Sequence, residues 1–576
     1  MTTGAVAPWV LVARDGDDVL IGAAGEGEPT RLSAEGWQRA VRDAAPGTRW
    51  VWDDTRRWYP DLLAVGIEVA RCRDLRLCHT ILAFSQRVAD ASALRAAAEW
   101  RAPEPDLVPA PRGAAATLFD VDDEPGAQPR RGVPSGFSAV RAEYRRQEAA
   151  LEGSSDADRL RLLLAAESAG ALLAVELHAA GLPWSRRVHE RILIERLGDR
   201  PAAGRLPRRV EELAVDVRSA LGDPTASLDS QPKLLRALHR VGVLATSTSR
   251  WELERFDHPV IAPLLAYKKL TRLLTANGWA WVDEWARDGR FRPVYVPAGV
   301  VTGRWASSGG GALQLPRELR PAVHADPGWT LIVADVAQLE PRVLAAMARD
   351  ESLAAAARGT DLYAGIVAGG VVSTRQEAKV AVLGAMYGAT TGDSGRLVPA
   401  LRRAYPRAMG LVDDAARVGD DGGVVTTWLG RSSPPPSPEW HEVQSAAGAP
   451  EATEVDRSRA RRSARDRGRF TRNFVVQGTA AEWAAAWLAD LRTHLAALPV
   501  VDAAAGAPAS GPVFGRRAHL AFFLHDEIIV HAPREQAEAA AAAVRSAAER
   551  ATTLLFGSFP LDFPLDLTIT DDAAKA

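Results

Sequence analysis

Lysine is nearly missing from this chain: of its 70 basic residues only Lys233, Lys268, Lys269, Lys379 and Lys575 are lysine, and all the others are arginine. That bias, with alanine abundant throughout, marks a GC-rich coding sequence. It also makes a lysine inside a candidate site harder to put down to chance. Cysteine is as scarce. Cys72 and Cys78 have no histidines at metal-ligand spacing, which excludes a disulfide framework and a zinc site. Long apolar runs are lacking too, so no membrane span is expected, and the first twenty residues do not have the pattern of a secretory signal. A cytoplasmic protein that does not enter a membrane follows. No sign of charge dominates: the formal net charge is -2, and a balance over the whole chain hides local patches of opposite sign. What is present is a globular composition, 47% hydrophobic and 25% charged, over 576 residues, enough for two or more domains.

Residues 9 to 22 and 49 to 53 read as short strands, with helical stretches around 33 to 44 and 88 to 100, which together predict a small α/β unit. A stretch from Pro103 to Gly136, rich in Pro, Gly, Asp and Ala, reads as a long loop or linker. Helix resumes near Val140 and dominates to about Arg290. Two apolar runs, Trp329 to Ala334 and Leu520 to Leu524, read as buried strands by their β-branched and aromatic content. Pro434 to Ala452 and Ala503 to Arg517 read as surface loops, and there is no internal repeat.

Both apolar runs meet acid. Asp335 closes the first, and Asp526, followed by Glu527, interrupts the second within Leu-His-Asp-Glu-Ile-Ile-Val. A charge in a buried strand is costly unless a partner or a metal compensates it. Two such carboxylates therefore point to a shared hard cation such as magnesium, which binds through one or two carboxylates plus substrate phosphates. Acidic residues that merely begin turns are the plainer reading of the same pattern.

Arg375, Lys379, Leu383 and Tyr387 recur at intervals of four in a stretch without proline, so on a helix they share one face, and Gly388 ends the run. A guanidinium fork and an ammonium one turn apart can grip a triphosphate. Eight arginines lie between Arg457 and Arg472, Arg469 among them, followed by Asn473, Gln477 and Gly478. Such a helix suits either a nucleic-acid backbone or solvent. Arg304, in Thr-Gly-Arg-Trp-Ala-Ser-Ser, adds a cation beside small residues that permit close approach.

In this order the segments resemble the polymerase domain of family A DNA polymerases, the group of bacterial polymerase I, over roughly residues 230 to 535. The likeness begins at Ser247-Thr-Ser and Asp257-His-Pro, and continues through Tyr267-Lys-Lys-Leu, Thr302-Gly-Arg and Leu313-Gln-Leu-Pro. Asp335-Val-Ala-Gln-Leu-Glu-Pro-Arg is similar to motif A, usually Asp-Tyr-Ser-Gln-Ile-Glu-Leu-Arg. Arg375 to Gly388 is similar to motif B, and His525-Asp-Glu to motif C. Val336 and Ala337 replace the usual Tyr-Ser, Pro341 an apolar residue, and Leu383 an aromatic one.

The resemblance implies an α+β multidomain fold: a right hand with an antiparallel palm sheet and helical fingers and thumb, preceded by a ribonuclease H-like α/β exonuclease-type domain. It implies an exonuclease-like domain over 1–165, including a loop at 103–136, and a polymerase domain over 166–576. Within the latter the thumb is expected at about 200–290, the palm at about 291–350 and 485–576, and the fingers at about 351–484. It further implies that Asp335 and Asp526, with Glu527 beside them, hold two magnesium ions where a primer 3′-hydroxyl attacks the α-phosphate. Arg375 and Lys379 would bind the incoming triphosphate, Leu383 and Gln338 would border it, Tyr387 would sit at the templating position, and Glu340 would block a ribose 2′-hydroxyl. Arg304, Gln314, Arg469, Asn473, Gln477 and His525 would contact DNA. The implied partners are primer-template DNA and deoxynucleoside triphosphates, with the enzyme a monomer. Proofreading is expected to be lost, because the first strand reads Trp-Val-Leu-Val-Ala-Arg-Asp instead of carrying Asp-x-Glu. The further exonuclease positions fall on Asp54, Trp58 and His79, with Asp156 the one survivor. No 5′-nuclease domain is expected in a chain of this length. Other readings are a catalytically silent DNA-binding homologue and a nucleotidyl transferase acting on RNA or without a template.

Overall fold

The computed structural model describes residues 9–101, 132–311, 315–359, 361–388 and 392–574. The expected loop at 103–136 falls outside the described residues as far as 131, as does Gln314. The chain forms two compact units: one takes in Met1–Gly181, Pro293–Leu313 and Asp326–Thr570, the other Leu182–Arg292, Gln314–Ala325 and Asp571–Ala576.

The first unit begins with a five-stranded sheet. Trp9–Asp15 runs antiparallel to Asp18–Gly22, which runs antiparallel to Thr30–Leu32; on its other side Trp9–Asp15 is parallel to Arg49–Trp52, and that strand is parallel to Cys72–Asp74. Successive side chains of a strand point to opposite faces. Leu11, Ala13 and Val51 therefore join a core with Trp100, Phe137 and Val140. Val12, Trp50 and Trp52 join a second core with Trp58, Leu62 and Leu172. Burial on both faces is why these strands read as nearly continuous apolar runs.

Helices Thr55–Ala64 and Leu75–Phe84 follow strands four and five, each started by an aspartate whose carboxylate takes a backbone N–H. Neither helix was anticipated, and the helix expected at 88 to 100 is two short pieces, Ser92–Ala96 and Ala98–Arg101. The boundary expected between residues 165 and 166 falls inside one continuous helix, Ala157–Ala180.

Further along the same unit lies a four-stranded antiparallel sheet in the order His519–Leu524, Glu527–Pro533, Trp329–Val336, Leu565–Thr570. The central strand Trp329–Val336 is buried along its length except at Asp335. Against this sheet pack Ala537–Phe556 and the 43-residue helix Glu454–Ala496, which are tied by Trp487 Nε1 donating to Val544 O at 3.1 Å and Trp483 Nε1 to Thr552 Oγ1 at 3.0 Å. The segment read as a loop from Pro434 to Ala452 contains a helix, Pro438–Gly448, started by Ser437 and Pro438.

The second unit is mainly helical: Arg186–Leu197, Arg208–Ala220, Gln231–Arg240 and Ile261–Asn277 are its longer helices. Trp184, His189, Trp281 and Phe291 form an aromatic cluster there, with centroids 4.8 to 5.6 Å apart. In the Ser/Thr segment, hydrogen bonds from Ser247 and Thr246 hold the Glu252 carboxyl down at about 2.

Candidate active site

Asp335 and Asp526 come together at one end of the four-stranded sheet. Asp335 pairs with Glu527 across one neighbouring strand and with Asp566 across the other. Asp526 does not interrupt a single strand, in contrast to the expectation from the sequence. It lies with His525 in the tight turn between His519–Leu524 and Glu527–Pro533. The turn needs left-handed backbone, and His525 supplies it at φ 58° although it is not glycine. Asp526 N then bonds Leu524 O at 2.7 Å, and its carbonyl accepts from Val336 N at 3.0 Å, which pins the turn beside the residue after Asp335.

Burial raises the Asp526 carboxyl above the usual carboxylate range; Arg304 opposes that shift, and the negative charges of Glu340 and Glu527 add to it. Burial and Arg304 together lower His525. A half-buried carboxylate amid other carboxylates is a site where a cation lowers the energy. Among the described residues no three His, Cys, Asp or Glu side chains form a ready-made metal cage. The donor set suits an oxygen-seeking ion such as magnesium, which accepts one or two carboxylates and completes its shell from substrate phosphates.

Next to the turn is a cavity of about 280 Å³ whose walls include Arg304, Gln338, Glu340, Leu383, Tyr387 and Asp526. Glu340, 9% exposed, is clamped from two sides: Arg304 Nη2 donates to Oε1, and the Tyr387 hydroxyl donates to Oε2 at 2.6 Å. Burial and the neighbouring Glu340 push the Tyr387 phenol well up. Gln338, with φ 48°, precedes helix Leu339–Ala348 and accepts Leu362 N at 3.1 Å. Pro341 lies in the first turn of that helix, where its missing N–H leaves no bond unmade.

Leu383 and Tyr387 ride on helix Arg375–Tyr387. A capping box of Thr374 and Glu377 starts this helix, and Gly388 ends it at φ 71°, where an added Cβ would come 2.8 Å from Arg469 Cγ. Lys379 is exposed on the helix. Arg375 donates to Asp361 at 2.6 Å and lies over the Tyr363 ring. Asp361 and Tyr363 are site neighbours that sequence reasoning missed; the available signal is the Asp-Leu-Tyr helix start at 361.

The two arginine-bearing segments meet through Thr302, whose hydroxyl donates to Gln477 Oε1 at 2.9 Å. Gly303, at φ 88°, lies so close to the Arg431 guanidinium that an added Cβ would sit 2.7 Å from its Nε. Arg431 in turn pairs with Glu167 inside the protein. Asn473 Oδ1 is buried without a hydrogen-bond partner among the described residues, while Arg469 pairs with Asp466.

The expected exonuclease positions are tied up structurally. Asp54 accepts from Arg56 N and Arg76 Nε, and His79 contacts Glu143 at 2.8 Å; the neighbouring Asp74, not one of those positions, accepts from Thr55 N at 2.8 Å and Leu77 N at 3.0 Å. Trp58 donates to Asp53, and Asp156 caps helix Ala157–Ala180 while pairing with Arg87.

Strand ends and a turn thus present carboxylates close to a helix that carries arginine and lysine. The fold as a whole is similar to a solved structure described as "POL domain of Pol1 from M. smegmatis complex with DNA primer-template and dNTP", with a TM-score of 0.65 and 18% identity, over 98% of this chain and 95% of that one. The sequence profile of DNA polymerase family A matches residues 205–570, and the chain belongs to that family. DNA polymerase I of Chloroflexus aurantiacus is 30% identical over 345 residues, covering 55% of this chain and 33% of that protein. The thermostable DNA polymerase I of Thermus filiformis is 25% identical over 407 residues, covering 63% and 43%. The match thus spans less than half the length of either relative. No helix among the described residues is long and apolar enough to cross a membrane.

Proposed function

We propose that the chain carries out template-directed DNA synthesis. The 3′-hydroxyl of a primer forms a bond to the α-phosphorus of a deoxynucleoside triphosphate, the bond to the bridging oxygen breaks, and pyrophosphate leaves. The observation that carries this reading is the turn holding Asp526 against the strand end that bears Asp335. Those two carboxylates, with Glu527 next to them, would hold two magnesium ions, whose chemistry is to activate the attacking hydroxyl and neutralise the leaving charge. Arg375 and Lys379 grip the triphosphate from the fingers helix, and Arg375 leaves Asp361 to do so. Gln338 and Leu383 border the nucleotide. Tyr387 releases Glu340 as the templating base arrives, and the freed carboxylate then excludes a ribose 2′-hydroxyl. Arg304, Arg469, Asn473, Gln477 and His525 line the path of primer-template DNA, with Gln314 assigned there by resemblance. The four-stranded sheet is the palm, residues 351 to 484 the fingers and 200 to 290 the thumb. The mycobacterial neighbour was solved with primer-template DNA and dNTP, which supports the same partners here. The enzyme acts as a monomer on the bacterial nucleoid, in repair or replication.

The N-terminal sheet, three antiparallel strands followed by two parallel ones, supports a ribonuclease H-like ancestry. Its carboxylates are engaged by helix starts and arginines, so we assign it no proofreading activity.

Primer extension tests the proposal. Wild type with magnesium extends a primed template, Asp335→Ala and Asp526→Ala do not, and Glu340→Ala raises ribonucleotide incorporation. Wild-type silence under both magnesium and manganese, with normal binding of primer-template, would overturn synthesis in favour of a DNA-binding homologue.

A further inference from the structure

A second cavity, of about 460 Å³, opens where the strands of the N-terminal sheet begin. Trp9 and Arg49 are the first residues of two neighbouring parallel strands and are paired in register, and Arg71 immediately precedes the third. Of the expected exonuclease positions, Asp54 stands just past the finishing end of the strand that Arg49 begins, and none of Asp54, Trp58, His79 and Asp156 lines this cavity. It is also separate from the cavity beside Asp526, with which it shares no residue.

Five arginines line it; Arg161 pairs with Asp158 and Arg492 with Glu176, which leaves Arg49, Arg71 and Arg73 on the sheet side. Arg49 stacks on Trp9 with its Cζ 5.0 Å from the ring centroid. Neither Arg49 nor the exposed Arg71 has a carboxylate partner among the described residues. Arg73 is only 5% exposed. It donates through Nε to Gln147 at 3.2 Å and through Nη1 to Glu148, but its Nη2 is buried with no hydrogen-bond partner. A buried guanidinium N–H left unsatisfied carries an uncompensated desolvation cost, and an anionic oxygen that reaches Nη2 as the side chain shifts removes it. Leu151, Leu162, Ala169 and Ala489 supply an apolar wall, with Leu554 still 58% exposed, and the carboxylates of Glu148 and Asp490 also belong to the lining.

A cavity of this size, lined by cations, an aromatic ring and leucines, suits a molecule that is highly charged at one end and flat and weakly polar at the other. We propose that it binds a nucleoside 5′-phosphate, with the phosphates on Arg49, Arg71 and Arg73 and the base on the leucine wall. A strand of nucleic acid fits less well. Its phosphodiesters carry one charge each, whereas a terminal phosphate or diphosphate concentrates charge where three guanidiniums converge.

The test is titration calorimetry of the full chain with ADP, in EDTA and without DNA. One site is expected, and adenosine and inorganic phosphate, each supplying half of the ligand, should bind at least about tenfold more weakly. Arg49→Ala with Arg71→Ala, which removes one cation–π contact and no ion pair, should weaken ADP by at least about tenfold while the ligand-free melting temperature stays close to that of wild type and the rate of primer extension is unchanged. Arg375→Ala with Lys379→Ala should leave ADP binding intact. The proposal is overturned if wild type gives no heat, if the loss follows Arg375 and Lys379 instead of Arg49 and Arg71, or if a 5′-phosphorylated oligonucleotide binds and ADP does not displace it. Because the readout needs neither metal nor DNA, it stands or falls apart from polymerase activity.

Discussion

The N-terminal sheet and the four-stranded sheet both place acidic side chains at strand ends, and the two groups differ in what surrounds them. In the N-terminal sheet Asp74 starts a helix and also accepts the backbone N–H of Thr55; burial still pushes it up to about 6, with Asp54 adding to the shift. In the four-stranded sheet Asp526 sits in a turn of the chain beside an open cavity, raised by burial, with Arg304 as the cation that opposes the shift. A carboxylate surrounded by backbone N–H groups and arginines is part of the fold, whereas one held among other carboxylates at a cavity mouth is available for chemistry. The presence of acids at strand ends does not separate these cases; their partners do.

Substitution should split the two regions most sharply. Asp526→Ala is expected to lower the rate of primer extension by on the order of a thousandfold without lowering the melting temperature, since it removes a charge that burial disfavours. A loss of stability equal to the loss of rate would erase the distinction.

Next in size is Glu482, a buried carboxylate of the helix Glu454–Ala496 that accepts from the Thr427 hydroxyl and from Leu429 N. Burial raises it from 4.5 to about 7. Its folded pKa lies above its unfolded one, so the folded state holds the extra proton between those values. Stability should therefore fall as pH rises from about 4.5 to 7, by roughly 3 kcal/mol, and change no further above that. Glu482→Gln removes the titration, so its melting temperature should gain on wild type from pH 5 to pH 7.5; parallel curves would rule out this assignment.

Asp74→Ala strands two buried N–H groups and should cost about 2 kcal/mol of stability by denaturant unfolding, with primer extension unchanged. The smallest effect expected is none at all: a mismatched primer end should survive incubation with wild type and with Asp156→Ala alike. Digestion that disappears in the variant would return the N-terminal sheet to catalysis.

Much of the candidate site could be read in the chain. The run Trp329 to Ala334 is apolar because its strand is central and buried on both faces, and Asp335 is the exposed residue near the end of that strand. Helix Arg375–Tyr387 appeared with its observed ends, because four-residue spacing and a terminal glycine are local properties. The turn at His525 and Asp526 was read as an interrupted strand: no Gly, Pro or Asn announces it, and His525 accepts left-handed backbone only because the flanking strands pair. Helix Pro438–Gly448 was taken for loop because the prolines before it outweighed Ser437 and Pro438 as a start signal. Asp361 and Tyr363 were passed over because their meeting with Arg375 is a contact between separate helices.

By itself, then, the order of residues determined which segments are strands and helices of the site and which side chains they carry, since periodicity and capping act over a few residues. Only the tertiary structure decided that Glu340 is clamped between Arg304 and Tyr387, that Asp54 and Asp74 are engaged in the fold while Asp526 borders a cavity, and that Arg49, Arg71 and Arg73 gather around a second one. Burial and charge pairing depend on neighbours brought together from distant parts of the chain, and those two quantities set what an ionisable group can do.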